Sequence, residues 1–302
     1  MINVNEYREY REDITNRIIE AVKMGTAPWQ KSWSDGGTPY NAVTGKPYMG
    51  MNSIILSLVG EKLDGNEDPR WATRKQAESQ GWAVRKGERH TKIFLLLLKD
   101  RKDSSGRLII SKNGKIAQDA IRKTFEVYHA SQLIGIKPYV KPLHKPVISN
   151  ETIEEIIYNS SARIFEGGNE ACYYPGKDTI CMPHKRSFSD TEGYYSTLLH
   201  EMAHWTGHRT RLDRFDEWNK DKKDYAMEEL VAELASTFLS AETGLPQTQE
   251  HFENHASYID SWVSILESNS NAIFTAASEA KKAADFILSF RDEEFLKSKK
   301  AS

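Results

Sequence analysis

The chain has 302 residues, 39% of them hydrophobic, two cysteines and a formal net charge of -2. That apolar content excludes a disordered chain, two cysteines exclude a disulfide-built scaffold, and no run of about eighteen apolar residues is present to cross a bilayer. Single domains mostly run to about 100–200 residues, so two domains with separate cores are expected, and the charge divides along the same line. Residues 1–145 carry 25 Lys and Arg against 16 Asp and Glu, and the remainder 16 against 27. A basic first half suits a polyanionic partner, although an excess of this size also serves solubility alone.

The spacing of Tyr7, Ile14, Ile18, Ile19 and Val22 predicts an amphipathic helix over 7–24, ended by Gly25. Asn52 to Leu63 reads as a second helix and Thr73 to Gln80 as a short third. Lys92 to Lys99 reads as a buried strand, and Thr124 to His129 alternates like its partner. Between them lie a polar turn, Asp100 to Gly106, and an insertion, Arg107 to Gly114, whose Leu108-Ile109-Ile110 adds a short edge strand. Together these elements predict an α+β domain over residues 1–135.

Within it, Trp29, Trp33, Tyr48, Trp71 and Trp82 are interleaved with Lys31, Lys46, Arg70, Arg74, Arg85, Lys86 and Arg89. Bases of a single strand stack on aromatic faces while basic side chains follow its phosphates, so the mixture suits single-stranded nucleic acid. Tryptophans also build cores, and at least half of these aromatics are expected to, Trp29 and Trp71 foremost because each sits beside an element boundary. The candidate contacts are therefore Trp33, Lys46, Tyr48, Arg74, Trp82, Arg85, Lys86 and Arg89, with 85–89 resembling a tight basic turn near phosphate. No duplex-reading motif is present, so the binding is expected to be independent of sequence.

Pro138, Pro142 and Pro146 mark an extended linker over 136–147. The second domain, 148–302, opens with a helix from Ile148 to Ile164, followed by a hairpin from Glu170 to Pro183 around Pro175-Gly176. Cys172 and Cys181 flank that turn and could be neighbours across it. The N-terminus is charged from Glu6 onward and carries no export signal, so a cytoplasmic protein with free thiols is expected.

His200-Glu201-Met202-Ala203-His204 is the most informative stretch. On a helix, positions i and i+4 share a face, so His200 and His204 can offer two imidazole nitrogens to one metal, and Glu201 beside them can act as general base toward water. The run from Tyr194 to Leu199 extends the helix upstream without Gly or Pro, and Gly207 fits its end. Zinc chemistry needs a third protein ligand and an open position. His208 lies on the same helix, where a third ligand would be strung along the axis; Glu229, on a helix from Tyr225 to Leu239, is geometrically better placed. Glu233 stands one turn beyond Glu229 as an acceptor for a ligand imidazole. The alternative for both is a solvated acidic face.

His251 and His255 repeat the i,i+4 spacing but lack the following glutamate; they open a helix carrying Tyr258, Trp262 and Ile265 and read as capping or packing residues. Asn271 to Phe290 is an alanine-rich packing helix, and the tail 296–302 frays.

His200-Glu201-x-x-His204 with Glu229-x-x-Ala232-Glu233 resembles the zincin metallopeptidases whose third ligand is glutamate. More closely, residues 200–214 with 228–239 resemble the C-terminal domain of the ArdC antirestriction family. Pro28-Trp29, Asn41 to Asn52, Pro69 to Ala77 and Gly81 to Glu88 resemble its N-terminal domain. The resemblance implies an N-terminal single-stranded DNA-binding domain and a mostly helical zincin-like domain with a small sheet. It implies Zn²⁺, or another divalent ion such as Mn²⁺, on His200, His204 and Glu229, with Glu201 catalytic. An extended protein substrate would join a sheet edge at Asp178 to Met182. The implied role is protection of transferred plasmid or phage DNA from restriction. The alternative is a stoichiometric single-strand coat whose metal site is structural or vestigial.

Overall fold

The computed structural model describes residues 4–24, 29, 37–64, 68–110, 116–140, 150–215, 222–245 and 258–291. Its first part begins with helix α1 (Val4–Lys23), then strand β1 (Tyr40–Asn41), helix α2 (Met51–Asp64), strand β2 (Arg70–Thr73) and helix α3 (Arg74–Ser79). Strands β3 (Ala83–Val84), β4 (Thr91–Asp100), β5 (Gln118–His129) and β6 (Leu133–Ile134) follow. The sheet order is β1-β2-β5-β4, with β4 and β5 antiparallel from Thr91↔Val127 to Asp100↔Gln118, and β3 pairs separately with β6. Leu108-Ile109-Ile110 forms no strand; Leu108 bridges Lys102 and Ile110 bridges Ile116 as isolated pairs.

Side-chain amides hold this part together. Asn41 accepts from the backbone N–H groups of Val43 and Thr44, turning the chain, and donates to the Tyr48 hydroxyl and to Gln76 Oε1. Gln76 and Thr73 form a reciprocal capping box at the start of α3. Asn52 clamps β4 by donating to the Phe94 carbonyl at 2.6 Å and accepting its N–H at 2.9 Å.

The second part contains α4 (Asn150–Ser160), β7 (Arg163–Glu166), β8 (Cys172–Tyr174), β9 (Thr179–Met182), α5 (Thr191–Thr206), α6 (Lys222–Thr243), α7 (Ile259–Ser268) and α8 (Ala272–Leu288). The helix expected from Ile148 to Ile164 is shorter. Ser161 adopts φ +54°, which ends it, and Arg163–Glu166 pairs in parallel with β9 as a strand. Residues 141–149, His251, His255 and the tail lie outside the described residues. No helix among the described residues is long and apolar enough to cross a membrane.

The expectation of separate cores is not met. Ile14, Ile18 and Val22 of α1 and Ile54 and Ile55 of α2 belong to the same buried cluster as Trp262 of α7 and Ile273 and Ala277 of α8. Trp29 meets Trp262 edge-on at 6.1 Å, and the buried Thr15 hydroxyl donates to the Ser270 carbonyl at 2.8 Å. The cause is size. The clusters private to the first part are small, one around Leu56, Trp71, Ile93 and Val127, the other around Ala72, Ala77, Tyr128 and Leu133. They leave the apolar stripe of α1 to be covered by the C-terminal helices.

A shared core makes a specific demand on stability. Ile18→Ala is expected to cost about 2–5 kcal/mol and to lower the urea midpoint of the whole chain in one transition, followed by circular dichroism and tryptophan fluorescence together. An early transition confined to the N-terminal part, with the helices of the second part unaffected, would argue against it.

Candidate metal centre

Helix α5 is capped by Asp190, whose carboxylate accepts the Gly193 N–H at 2.7 Å. Leu198, Leu199, Met202 and Ala203 bury it, and the face left over carries His200 and His204. Gly207 follows the helix with an ordinary helical φ, so its need for glycine is spatial. A Cβ there would lie 2.8 Å from Phe215 Cζ and 3.1 Å from Arg214 Nη2. That closeness lets Arg214 return beneath the helix end, where it donates to the Ala203 carbonyl at 2.7 Å and to the Thr206 hydroxyl at 2.8 Å.

Helix α6 packs across α5 and brings Glu229 to the two histidines. His200 Nε2 and His204 Nε2 stand 3.2 Å apart, His200 Nε2 lies 3.5 Å from Glu229 Oε2 and His204 Nε2 lies 3.5 Å from Glu229 Oε1. Two atoms each bonded at about 2.1 Å to one tetrahedral ion are about 3.4 Å apart, so the three separations fit a single small metal ion. Among the described residues this is the one such group of histidine, cysteine and carboxylate side chains. His208 is elsewhere, past the helix end, with Nδ1 2.8 Å from the Thr210 hydroxyl.

The far sides of the imidazoles also face carboxylates. Glu233, fully buried, has Oε2 3.8 Å from His200 Nδ1, and Glu228 has Oε1 3.3 Å from His204 Nδ1. Glu228 was missed in the sequence. Arg214 grips it bidentately at 3.0 and 2.7 Å, making a buried relay from guanidinium to carboxylate to imidazole. The available signal was that Glu228, Glu229 and Glu233 share a helix with Leu230, Val231 and Leu234, too apolar for all three acids to reach water.

Protonation follows from these contacts. Burial works against the imidazolium of His204, but Glu229 and Glu228 outweigh it and raise its pKa well above the ordinary histidine value. Burial likewise disfavours charge on Glu228, yet His204 and Arg214 hold its carboxyl below the usual range; Glu229 is depressed by the two histidines against the same penalty.

The centre opens into a cleft of about 980 Å³ lined by His200, Glu201, His204, Glu229, Tyr225 and Tyr258, among others. Glu201 is buried at its floor. The Tyr225 and Tyr258 rings lie 6.0 Å apart, and both phenols are held protonated, by burial first and then by the negative charge of Glu229. The opposite wall is β8, with Cys172 and Tyr173. The sheet order is β7-β9-β8, so the segment 179–182 expected at an edge is the central strand, and the edge bordering the cleft is β8. Parallel pairing with β7 occupies the side of β9 that the hairpin leaves free.

The family model described as the N-terminal domain of anti-restriction factor ArdC matches residues 8–130, and that of a zincin-like metallopeptidase matches 151–279. The crystal structure of antirestriction ArdC from plasmid R388 superposes with a TM-score of 0.72 at 33% identity in its Mn(II)-bound form, covering 93% of this chain and 97% of that one. The metal-free form gives 0.71 at 32%. The chain belongs to the ArdC antirestriction family. It also matches two DNA primases TraC of Escherichia coli, at 35% identity over 95% of its own length and 34% over 97%, and spans 28% and 21% of those relatives. With the zincin-like match and the ligand geometry, the Mn(II)-bound ArdC relative marks the centre as one for a divalent metal.

In the part matching the ArdC N-terminal domain, Trp29 and Trp71 are core residues, each about 1% exposed. Tyr48 packs on the Trp71 cluster and Trp82 on the Tyr128 cluster, both half-buried. Lys46, Arg85, Lys86 and Arg89 are exposed. Arg74, also exposed, donates to the Tyr128 hydroxyl at 3.1 Å and lies over its ring. The turn 85–89 is pinned from inside by buried Gln132, which donates to Glu88 and to the Arg89 carbonyl, and Gly87 takes φ +90° within it. Trp33 lies outside the described residues.

Two measurements follow from the centre. Glu228→Gln is expected to weaken divalent-metal affinity about 10–100-fold in a chelator competition, because His204 loses its orienting charge; unchanged affinity would remove Glu228 from the site. In the metal-free chain the raised pKa makes protonated His204 stabilising, fully so below the ordinary histidine value and decreasingly as pH rises through the raised one. Metal requires the unprotonated ring. Binding near neutral pH should therefore release about one proton, read by calorimetry in buffers of different ionisation enthalpy, and affinity should fall on acidification; heats independent of buffer would contradict this.

Proposed function

We propose that this protein binds single-stranded DNA through its N-terminal part and carries a zinc-dependent peptidase site in its C-terminal part, acting in the cytoplasm to protect transferred plasmid or phage DNA from restriction. One observation carries the reading: three ligand-type side chains and a carboxylate base converge in one cleft, in a chain whose other part matches the ArdC N-terminal domain. Residues 1–135 and 148–302 are the two functional units, joined by 136–147.

His200 Nε2, His204 Nε2 and a Glu229 oxygen would hold the ion, which supplies Lewis acidity toward a water and a substrate carbonyl. Glu228, hydrogen-bonded to His204 Nδ1 at 3.3 Å, keeps that ring's proton on Nδ1 so that Nε2 stays a lone-pair donor, and the Glu233 carboxylate faces His200 Nδ1 from 3.8 Å as its electrostatic counterpart. Glu201 accepts the proton of the attacking water and returns it to the leaving amine nitrogen. Tyr225 and Tyr258 supply phenol hydrogen bonds to the polar groups of a bound peptide, which lies extended along β8 and pairs with its free edge.

Lys46, Arg74, Arg85, Lys86 and Arg89 follow the phosphates, while Trp33, Tyr48 and Trp82 offer ring faces to unstacked bases. Tethering on DNA raises the local concentration of any protein bound beside it.

Fluorescence anisotropy of a labelled single strand against the matching duplex, over a salt series, tests the first part. Preference for the single strand with a steep salt slope is expected, and Arg85→Ala and Lys86→Ala should each reduce that slope by about 1; a salt-independent or absent affinity would sink the assignment. Glu201→Gln tests the second. It should keep metal and DNA binding and lose proteolysis, and full protection by this variant in a transfer assay would favour the stoichiometric coat.

A further inference from the structure

Cys172 and Cys181 lie on opposite sides of the Pro175-Gly176 turn and are register partners in the antiparallel pair β8–β9. Residues opposite one another on such strands stand about 4.5–5.5 Å apart at Cα, whichever hydrogen-bonding type the pair is. A disulfide spans about 4.4–6.8 Å. Partners in register also project to the same face, and here that face is the one away from the core: Ile180 and Met182, which alternate with Cys181, are fully buried, while both cysteines are half-buried and not bridged. Cys172 lines the cleft that holds His200 and Glu201.

We propose that Cys172 and Cys181 are a modification site, a vicinal dithiol that a peroxide converts reversibly to a cross-strand disulfide. One thiolate attacks the peroxide oxygen, breaking the O–O bond to give a sulfenic acid and hydroxide. The facing thiol then attacks that sulfur, forming the S–S bond and expelling the sulfenic oxygen as water, so that two thiols and one hydrogen peroxide give one disulfide and two waters. Burial raises the pKa of the Cys172 thiol, which slows its ionisation. The product ties the cleft-edge strand to the centre of its sheet and withdraws a thiol from the cleft wall. Formation of the bridge requires no peptidase activity.

The experiment uses the full chain, folded and metal-free, treated with stoichiometric hydrogen peroxide and analysed by intact mass and by non-reducing peptide mapping. The expected result is a loss of about 2 Da, one linked peptide pair containing Cys172 and Cys181, loss of both thiols to a chromogenic disulfide reagent, and full recovery with dithiothreitol. Cys172→Ser and Cys181→Ser should give no linked peptide and instead gain oxygen in steps of about 16 Da. Wild-type protein that gains oxygen at either cysteine without linking, or links between two chains, overturns the proposal. Circular dichroism before and after treatment confirms that linkage occurs in the folded state, and linkage only after unfolding also overturns it.

Discussion

The packing of α5 on α6 is the constraint on which the rest depends, because it buries Glu201, Glu228, Glu229 and Glu233 beside two imidazoles. A desolvated carboxylate is tolerated only with a compensating charge or donors. Arg214 is the one buried arginine or lysine among the described residues, and both of its nitrogen contacts to carboxylate go to Glu228. Glu229 is answered by the two histidines, with the Tyr225 hydroxyl beside it, or by a cation held between the three side chains. This is why the three ligand atoms sit at separations suited to one ion, and why His204 binds a proton tightly in its place. A proton and a metal ion on His204 Nε2 exclude one another, and the chain-reversing contact at Gly207 that delivers Arg214 is part of the same solution.

The surroundings of the centre follow from how each wall is fastened. Arg211 donates through Nε to the Trp205 carbonyl at 2.6 Å, lies over the Trp205 ring at 4.0 Å, and pairs with Asp178 and Tyr173. It thereby locks the end of the histidine helix to the β8–β9 hairpin that forms the opposite wall. Burial raises the Tyr173 phenol, whereas the Arg211 guanidinium first and Tyr173 next hold Asp178 below the usual carboxylate range, so the linkage is lost only as pH falls below that range. Asp178 itself takes φ +48° in the turn, a left-handed conformation that aspartate tolerates better than most non-glycine residues.

Much of this was legible in the sequence where the signal was local. The helices 191–206, 222–243 and 272–288 follow from apolar periodicity, and the convergence of His200, His204 and Glu229 from two i,i+4 pairs on neighbouring helices. What was not legible depends on partners distant in sequence. Glu228 acquires its role only when Arg214 folds back, and the place of β9 at the centre of its sheet depends on pairing with β7, a segment whose short apolar run also fits a helix. The motifs at Asn41, Asn52, Thr73 and Gln76 stand out as strongly as any binding site, yet their side chains are spent on turns, a helix cap and a clamp on β4. Distinctive polar residues in a small sheet domain are as often its hydrogen-bonding framework as its surface chemistry.

The same reasoning bears on how the two parts communicate. A proline-rich stretch between oppositely charged halves suggests two bodies on a tether, but α1 and α2 complete the core of the C-terminal helices. Tyr258, at the lip of the cleft, immediately precedes α7 and stacks on Trp262, and Trp262 meets Trp29 from the first part. Strain at Trp29 therefore has a packed route to the cleft lip through two ring contacts, Trp29–Trp262 and Trp262–Tyr258, that does not run through the linker. Close-packed interiors transmit such strain because they hold few voids to absorb it, so the N-terminal part belongs to the mechanical framework of the metal cleft as well as to its neighbourhood.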